Sequence, residues 1–204
     1  MVGRGLLHMH WLIWVAAFLL GSVPTGYLVV YFSKGLNIQK VGSGNIGSTN
    51  VARVAGKRMA LLTQGIDLAK GALATSLAIL WNNAHPTPFL VAGAAALVII
   101  GNSYTPFLRF KGGKGVNTTA GAFIPLFPWA VLLAFIGHLT LRKFTGLVSL
   151  SSITAGVILL SVTLLIYGWS EPIWALIVAF ALVCWRHKEN IKRLAQGKEA
   201  RERK

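Results

Sequence analysis

Several apolar stretches in this sequence are long enough to cross a lipid bilayer. Three of them, residues 11–32, 59–81 and 89–108, approach the length of about 20 apolar residues that an upright transmembrane helix needs. Hydrophobic residues make up 54% of the chain and charged residues only 12%, which excludes an ordinary soluble globular domain. The sequence therefore predicts an all-α membrane protein.

The second half of the chain contains one apolar stretch that two prolines interrupt. Pro125 and Pro128 lie in the middle of residues 118–140, and proline disrupts the interior of a helix. We therefore divide this stretch into two short helices, which gives seven transmembrane helices in total. The four spans of the second half are residues 116–126, 128–141, 147–168 and 172–185.

The basic residues predict the orientation in the membrane, because cytoplasmic loops collect Lys and Arg. With seven spans and the N-terminus outside, every one of the 20 basic residues except Arg4 and Lys70 falls in a segment on the inner side. A six-span topology would instead place Arg142 and Lys143 outside. We therefore expect the N-terminus outside and the C-terminus in the cytoplasm.

The chain is predicted to be one membrane domain over residues 1–204, with no division into further domains. We expect residues 1–10 to be a native leader or an expression remnant, and residues 186–204 to form a basic cytoplasmic tail. The net charge of +15 would also suit a nucleic-acid-binding protein. Since the positive-inside rule already explains this charge, we expect no nucleic-acid partner, and membrane lipid and anionic substrates are the expected partners.

The first polar motif is the segment VGSGNIGSTN at residues 41–50, between two apolar spans. Glycines let backbone N–H groups turn inward, and Ser, Thr and Asn side chains add further donors. The pattern is typical of a phosphate-binding loop, although a flexible Gly/Ser connector is the alternative. The residues predicted to bind phosphate here are Gly42, Ser43, Gly44, Asn45, Gly47, Ser48, Thr49, Asn50 and, on the next helical turn, Arg53.

A second cluster of the same character is FKGGKGVNTT at residues 110–119. Two loops of glycines and cations in one membrane protein indicate a single anionic site. The nucleotide-binding pattern GxxxxGK[ST] is absent, because Gly115 follows Lys114 where that pattern needs Ser or Thr, and an ATPase is therefore weakly supported. The residues predicted to contact the anion are Lys111, Gly112, Gly113 and Lys114.

Further polar residues fall at the same predicted face of the membrane. Ser151 and Ser152 lie near the start of the sixth span, where serines commonly cap or pack a helix. His187 and Asn190 follow the seventh span and share one side if the helix continues. Asp67 and Lys70, three residues apart, are most simply an ion pair inside the second span.

The sequence lacks the residues that several other kinds of catalytic chemistry need. We expect no pair of carboxylates at the site, and there is no HExxH motif and no HxxxxD signature of other acyltransferases. We therefore predict no metal and no cofactor. A site of anion-binding loops with few bases suits an acyl phosphate, whose good leaving group needs chiefly positioning and charge neutralisation.

Six motifs occur in order along the chain. Together they resemble the bacterial acyl-phosphate-dependent glycerol-3-phosphate acyltransferase family over nearly the whole sequence. Two positions depart from the pattern expected of that family, with Asn102 in place of a histidine and Ser151 in place of an alanine. The motifs are GSVPTGYL at 21–28, VGSGNIGSTN at 41–50, DLAKG at 67–71, FKGGKGV at 110–116, SLSSI at 149–153 and RHKENIKRL at 186–194.

The resemblance implies transfer of a fatty acyl group from acyl phosphate to the 1-hydroxyl of sn-glycerol 3-phosphate, which gives lysophosphatidic acid and phosphate. It implies that Ser43, Arg53 and Lys114 hold glycerol 3-phosphate, that residues 42–50 bind the acyl phosphate, and that the acyl chain lies in a groove open to lipid. The residues it marks as catalytic are Lys114, Ser152, His187 and Asn190.

This family also implies a setting and a mechanism. The protein would lie in the bacterial cytoplasmic membrane with its site on the cytoplasmic side, and an enzyme that forms acyl phosphate is the expected functional link. We favour a substrate-assisted reaction in which His187 orients the hydroxyl, while His187 as general base is the rival assignment. A transporter or channel for phosphate or an organophosphate is the main alternative from another class, although a transporter's site would usually lie near the midplane. A non-catalytic scaffold is the third.

Overall fold

The structure is a computed structural model that describes residues 9–201, so residues 1–8 of the predicted leader and residues 202–204 of the predicted tail lie outside it. Short 3₁₀ turns occur at Ile38–Lys40 and Pro106–Leu108, and residues 9–201 contain no strand. The α-helices of this part are α1 (Met9–Ser22), α2 (Thr25–Lys34), α3 (Ser48–Ala55), α4 (Lys57–Ala84), α5 (Leu90–Ser103), α6 (Val116–Phe123), α7 (Pro128–Thr145), α8 (Val148–Tyr167), α9 (Pro172–Arg186) and α10 (Lys188–Ala195).

Three helical stretches of the described chain are long and apolar enough to cross a membrane. They are His10–Lys34, Leu90–Leu108 and Val148–Tyr167, and Pro172–Arg186 is a shorter apolar helix. The all-helical architecture agrees with the all-α prediction, and these stretches coincide with the first, third, sixth and seventh predicted spans.

Helix α4 turns polar residues toward the protein interior and leucines toward the outside. Its buried face carries Thr63, Asp67 and Lys70, whereas Leu73 and Leu80 are exposed by 51% and 66%. A helix on the surface of a water-soluble protein would turn the leucines inward and the charges outward. This arrangement fits a helix that faces lipid and keeps its charged residues among neighbouring helices.

One break between helices was predicted from the sequence, at a pair of prolines. A second break was not predicted. Helix α6 ends at Phe123 and α7 begins at Pro128, where the two prolines were predicted to divide the helix. The first predicted span, however, is interrupted between Ser22 and Thr25. Pro24 lies in this break and has no N–H to continue the helical hydrogen bonds.

Two pairs of helices approach so closely that only glycine fits at the crossing. A Cβ atom on Gly71 or Gly121 would overlap the backbone of the opposite helix, which joins α4 to α6. The same holds for Gly21 and Gly101, which join α1 to α5. Small residues that allow backbones to touch are a common means of packing helices in membranes.

A buried ion pair lies between these helices. Lys70 Nζ is 2.8 Å from Asp67 Oδ1, as the spacing predicted, and it also donates to Asn102 Oδ1 at 2.7 Å and to the carbonyl oxygen of Val23 at 3.1 Å. Asn102, which departs from the expected family pattern, thus accepts a hydrogen bond from Lys70. The network ties α4 to α5 and to the break between α1 and α2.

Candidate functional site

A single cavity of about 1230 Å³ brings the two glycine loops together with the ends of α8 and α9. Its polar part is lined by both loops, by α3 and by the residues that follow α9. Its apolar part lies between helices α7, α8 and α9, where the lining includes Val131, Phe135, Leu139, Leu159, Leu176 and Phe180. The cavity is therefore amphipathic, as a site for an anionic group with an apolar chain must be.

The first loop is held in shape by the buried side chain of Asn50. Its Oδ1 accepts from the backbone N–H of Ser43 at 2.9 Å, while its Nδ2 donates to the carbonyl oxygens of Val41 at 3.0 Å and Asn45 at 2.9 Å. These bonds occupy both ends of the amide. Asn50 therefore shapes the loop, and Asn45 Oδ1 adds a further bond within it by accepting from the Gly47 N–H at 2.8 Å.

The remaining predicted residues of the first loop divide into two groups. Gly42 and Gly44 are not among the cavity-lining residues, and both adopt left-handed backbone conformations with φ of +64° and +70°. Glycine is favoured there because L side chains resist such angles. The residues that line the cavity are Ser43, Asn45, Gly47, Ser48, Thr49, Asn50 and Arg53.

In the second loop, Lys114 and Gly113 line the cavity, whereas Lys111 and Gly112 do not. The Lys111 side chain is exposed, and the carbonyl oxygen of Lys111 accepts from Gln39 Nε2 at 3.1 Å, which connects the second loop to the segment before the first. A Cβ atom on Gly112 would overlap the backbone oxygen of Asn102. Gly112 is therefore required by packing in this structure.

Arg186, which the sequence analysis did not select, fastens the second loop from the end of α9. It donates through Nη2 to the carbonyl oxygen of Gly112 at 2.7 Å and through Nε to that of Gly113 at 3.0 Å. Its guanidinium group also lies 5.3 Å from the centre of the Tyr104 ring, a cation–π arrangement. The position immediately before Lys114 is thus fixed by a residue 73 positions away.

Lys114 faces the polar part of the cavity and contacts Asn190. Its Nζ donates to Asn190 Oδ1 at 2.6 Å. Burial lowers the pKa of Lys114 from 10.5 to about 8; the nearby Glu199 raises it, and Arg193, Arg186 and Arg53 lower it. The ammonium group is therefore close to its titration range at neutral pH.

His187 is buried at the end of α9 and also lines the cavity. Its Nδ1 lies 2.8 Å from the carbonyl oxygen of Val183, which can only accept, so Nδ1 carries the proton and Nε2 is left as an acceptor. Burial, with the nearby charge of Lys114, lowers the pKa of His187 to about 4. The imidazole is neutral at physiological pH.

His187 and Asn190 lie on the same side, as predicted, although the helix is broken at His187. Helix α9 ends at Arg186 and α10 begins at Lys188, so the helix does not continue unbroken through His187. The carbonyl oxygen of His187 still accepts from the N–H of Ile191 at 2.8 Å. Both side chains line the same cavity.

The two serines near the start of α8 differ in position. Ser152 lines the cavity and donates to the carbonyl oxygen of Val148 at 2.9 Å, whereas Ser151 is fully buried outside it and donates to that of Leu147 at 2.9 Å. Both make the bond to the preceding turn that is common for serines in membrane helices. Of these two serines, only Ser152 lines the cavity.

The expectation of no carboxylate pair at the site was wrong, because Asp67, Glu189 and Glu199 all line the cavity. Asp67 is paired with Lys70, and Glu199 accepts hydrogen bonds from Ser149, Asn190 and Arg193. Burial acts to raise the pKa of Glu199, but these hydrogen bonds outweigh it and hold that pKa below its usual value. Glu199 went unnoticed because it lies in a tail whose dominant feature is positive charge.

Comparison with known proteins gives consistent matches over nearly the whole chain. The family model described as glycerol-3-phosphate acyltransferase matches residues 11–197. A glycerol-3-phosphate acyltransferase of Clostridium acetobutylicum is 40% identical over 189 residues, which cover 91% of this chain and 96% of that protein. One from Thermus thermophilus is 38% identical over 188 residues, covering 91% of each chain.

Two solved structures share the fold. The crystal structure of PlsY (YgiH), an integral membrane glycerol 3-phosphate acyltransferase, in its glycerol 3-phosphate form aligns with a TM-score of 0.89 at 32% identity and covers 96% of both chains. The lysophosphatidic acid form of PlsY aligns with a TM-score of 0.86, again at 32% identity, over 95% of both chains.

Proposed function

The chain belongs to the glycerol-3-phosphate acyltransferase family of integral membrane proteins, and we propose that it uses acyl phosphate as the donor. In this reaction the 1-hydroxyl oxygen of sn-glycerol 3-phosphate attacks the acyl carbon of acyl phosphate. The bond between that carbon and the phosphate oxygen breaks, and the products are 1-acyl-glycerol 3-phosphate and inorganic phosphate.

The observation that carries this proposal is the convergence of two glycine loops and several cationic side chains on one cavity with an apolar arm. Arg53, Lys114, Arg186 and Arg193 all line its polar part. Two phosphate groups meet in this reaction, one on each substrate, so the site needs more positive charge than a single anion would. The apolar part between α7, α8 and α9 suits the fatty acyl chain.

Each predicted residue has a role in the proposed complex. Ser43, Arg53 and Lys114 hold glycerol 3-phosphate, and Ser152, His187 and Asn190 fix its glycerol part or its phosphate. Donors from the part of this loop that lines the cavity hold the phosphoryl group of acyl phosphate, while Gly42 and Gly44 support the loop from outside the cavity. Asn50 acts within the loop by keeping the Ser43 N–H and its neighbours in place, and Lys111 and Gly112 support the second loop from outside the cavity.

The chemical step in our proposal is substrate-assisted. A phosphate oxygen of the substrates accepts the hydroxyl proton as the hydroxyl oxygen attacks, and the departing phosphate is stabilised by the cations. Nε2 of His187 accepts a hydrogen bond from the 2-hydroxyl of glycerol 3-phosphate and orients the glycerol part, so the proton of the attacking 1-hydroxyl is left to the phosphate oxygen. A pKa of about 4 supports this role, because a general base works best with a pKa near the operating pH.

We also propose that the protein has seven transmembrane helices, with the N-terminus outside and the site at the cytoplasmic face of a bacterial inner membrane. The two glycine loops and the end of α9 line one cavity, and the basic residues of the loops and the tail favour the inner side. Acyl phosphate and glycerol 3-phosphate would reach the site from that side, so an enzyme that forms acyl phosphate is the expected functional partner.

Phosphate release tests the donor. The purified protein in lipid is given palmitoyl phosphate and glycerol 3-phosphate without CoA or metal, and Lys114→Ala is assayed beside it. We expect release that requires glycerol 3-phosphate and falls at least about a hundredfold in the variant, the usual effect of losing an electrostatic stabiliser. Turnover with acyl-CoA or acyl carrier protein, but not with palmitoyl phosphate, would overturn the proposal.

A further inference from the structure

The carboxylate of Glu199, in the tail beyond α10, enters the cavity beside the residues assigned above. Its Oε1 accepts from Ser149 Oγ at 2.8 Å and from Asn190 Nδ2 at 2.6 Å, and its Oε2 accepts from Arg193 Nε at 2.7 Å. The side chain is only 9% exposed. Arg193 is 46% exposed, so its ion pair with Glu199 is partly solvated, whereas the hydrogen bonds from Ser149 and Asn190 are part-buried and hold the carboxylate in the site.

Glu199 determines which way the amide of Asn190 points. A carboxylate can only accept, so it takes the NH₂ end of the amide and leaves Oδ1 facing the opposite direction. Lys114 Nζ donates to that Oδ1 at 2.6 Å. With the amide reversed, NH₂ would face the ammonium group and two donors would oppose each other. The contacts therefore form a continuous chain from Glu199 through Asn190 to Lys114.

Glu199 is also the negative charge that acts on Lys114 in this environment. Burial is the main cause of the low pKa of Lys114, the charges of Arg193, Arg186 and Arg53 lower it further, and Glu199 raises it. His187, close to Lys114, is neutral at physiological pH because its pKa is about 4. Without the carboxylate, the charges acting on Lys114 would be those of the three arginines, and the ammonium group would lose its proton at a lower pH.

We propose that Glu199 is a positioning residue of the acyltransferase site, which orients Asn190 and thereby holds Lys114 toward the substrate phosphate. This inference rests on the assignment of Lys114 and Asn190 to the proposed reaction. It makes Glu199 part of the active site, although this residue lies in the tail beyond the end of α10 at Ala195. Ser149 and Arg193 act with Glu199, because they hold its two oxygens.

A competing function for the same contact gives the opposite prediction. If the carboxylate occupied the position of the substrate phosphate, it would inhibit binding, and its removal would tighten the binding of glycerol 3-phosphate. If it positions Asn190 and Lys114, its removal weakens that binding. The sign of the change decides between them.

The test uses Glu199→Ala, which removes all three hydrogen bonds, and Glu199→Gln, which keeps the shape and removes the charge. Glu171→Gln, at the opposite end of α9, and Lys198→Ala, the exposed neighbour in the tail, are the matched controls. Binding of glycerol 3-phosphate is measured by calorimetry from about pH 6 to 9, together with kcat/KM, in the full-length protein. Thermal unfolding of each variant checks that it is folded.

We expect Glu199→Ala to weaken glycerol 3-phosphate binding and to lower kcat/KM by about tenfold or more, because small displacements of positioning groups are costly. In the wild type, binding weakens as pH rises through the Lys114 pKa of about 8, where the ammonium charge is lost. In Glu199→Gln this weakening begins at lower pH, a change that a purely structural role would not produce. Tighter binding, or a pH dependence equal to that of the wild type, would overturn the inference.

The binding measurement separates this inference from the proposed donor. Glycerol 3-phosphate binding involves no acyl donor, so the pH dependence in Glu199→Gln is readable whichever donor the protein uses. A wild type that binds glycerol 3-phosphate but releases no phosphate from palmitoyl phosphate would contradict the donor alone. If the wild type is active with palmitoyl phosphate and the Glu199 variants behave like the control variants, the positioning role alone is contradicted.

Discussion

In the proposed mechanism, the neutral imidazole of His187 orients the substrate. Its Nδ1–H is committed to the carbonyl oxygen of Val183, so the free Nε2 can accept a hydrogen bond from a hydroxyl but cannot donate one. With a pKa of about 4, it would also hold an abstracted proton weakly. These properties suit orientation of the substrate better than removal of its proton.

Replacement of His187 by Gln distinguishes orientation from general-base catalysis. The Gln side chain keeps an acceptor but no titratable nitrogen. We expect a decrease in kcat/KM of about tenfold that is accompanied by weaker glycerol 3-phosphate binding, since the oriented contact is imperfect. Steady-state kinetics and calorimetry measure both quantities, and His85→Gln, in the connection between α4 and α5, is the control. Near-complete loss of turnover with unchanged binding would instead favour the general base.

At the scale of helices, the position of the second loop depends on a crossing where the backbones of α4 and α6 are in contact. Helix α6 follows directly after the loop that carries Lys114, and it crosses α4 where Gly71 and Gly121 meet backbone atoms of the other helix. Helix α4 in turn carries the Asp67–Lys70 pair. The crossing thus fixes the second loop relative to a rigid part of the molecule.

We expect Gly121→Ala to destabilise the protein by about 1–3 kcal/mol, the usual cost of forcing extra atoms into a packed interior. Its Cβ would overlap the carbonyl oxygen of Leu68, which is backbone and cannot rotate away. Thermal unfolding in detergent measures the change. Gly65→Ala in α4 is the matched control, because no heavy atom lies within 4 Å of the added Cβ, and it should be neutral or slightly stabilising. Equal effects of both substitutions would contradict this account of the crossing.

At the scale of the whole molecule, the topology decides from which side substrates arrive. The seven-span and six-span arrangements differ in the side on which the basic end of α7 lies. That end carries Arg142 and Lys143 in its last turn. The positive-inside rule predicts that this end lies in the cytoplasm, together with the tail that supplies Glu199.

Labelling of single cysteines tests this topology, since Cys184 is the only native cysteine and can be removed as Cys184→Ala. We expect Lys143→Cys to be protected from a membrane-impermeant maleimide in spheroplasts and labelled in inverted vesicles. Asn83→Cys and Lys198→Cys, both at exposed positions, are the references for outside and inside. Labelling of Lys143→Cys in spheroplasts, as for Asn83→Cys, would support six spans instead.

The sequence by itself determined the features that depend on neighbouring residues. Apolar runs predicted an all-helical membrane protein, Pro125 and Pro128 marked a real break between α6 and α7, and the spacing of Asp67 and Lys70 predicted their ion pair. The glycine loops, Ser152, His187 and Asn190 were also identifiable as a group, because such motifs are short and ordered. The predicted substrate roles of these residues stay predictions.

Only the tertiary structure decided which polar groups face the cavity and which support it. Asn50 turns its amide into the loop, Arg186 fastens a loop 73 positions away, and Glu199 reaches Ser149 across 50 positions of the chain. The break near Pro24 also went unrecognised, since the surrounding residues are apolar enough to resemble one span. Pairing over such distances depends on how the helices pack, and hydropathy and local spacing carry no information about it.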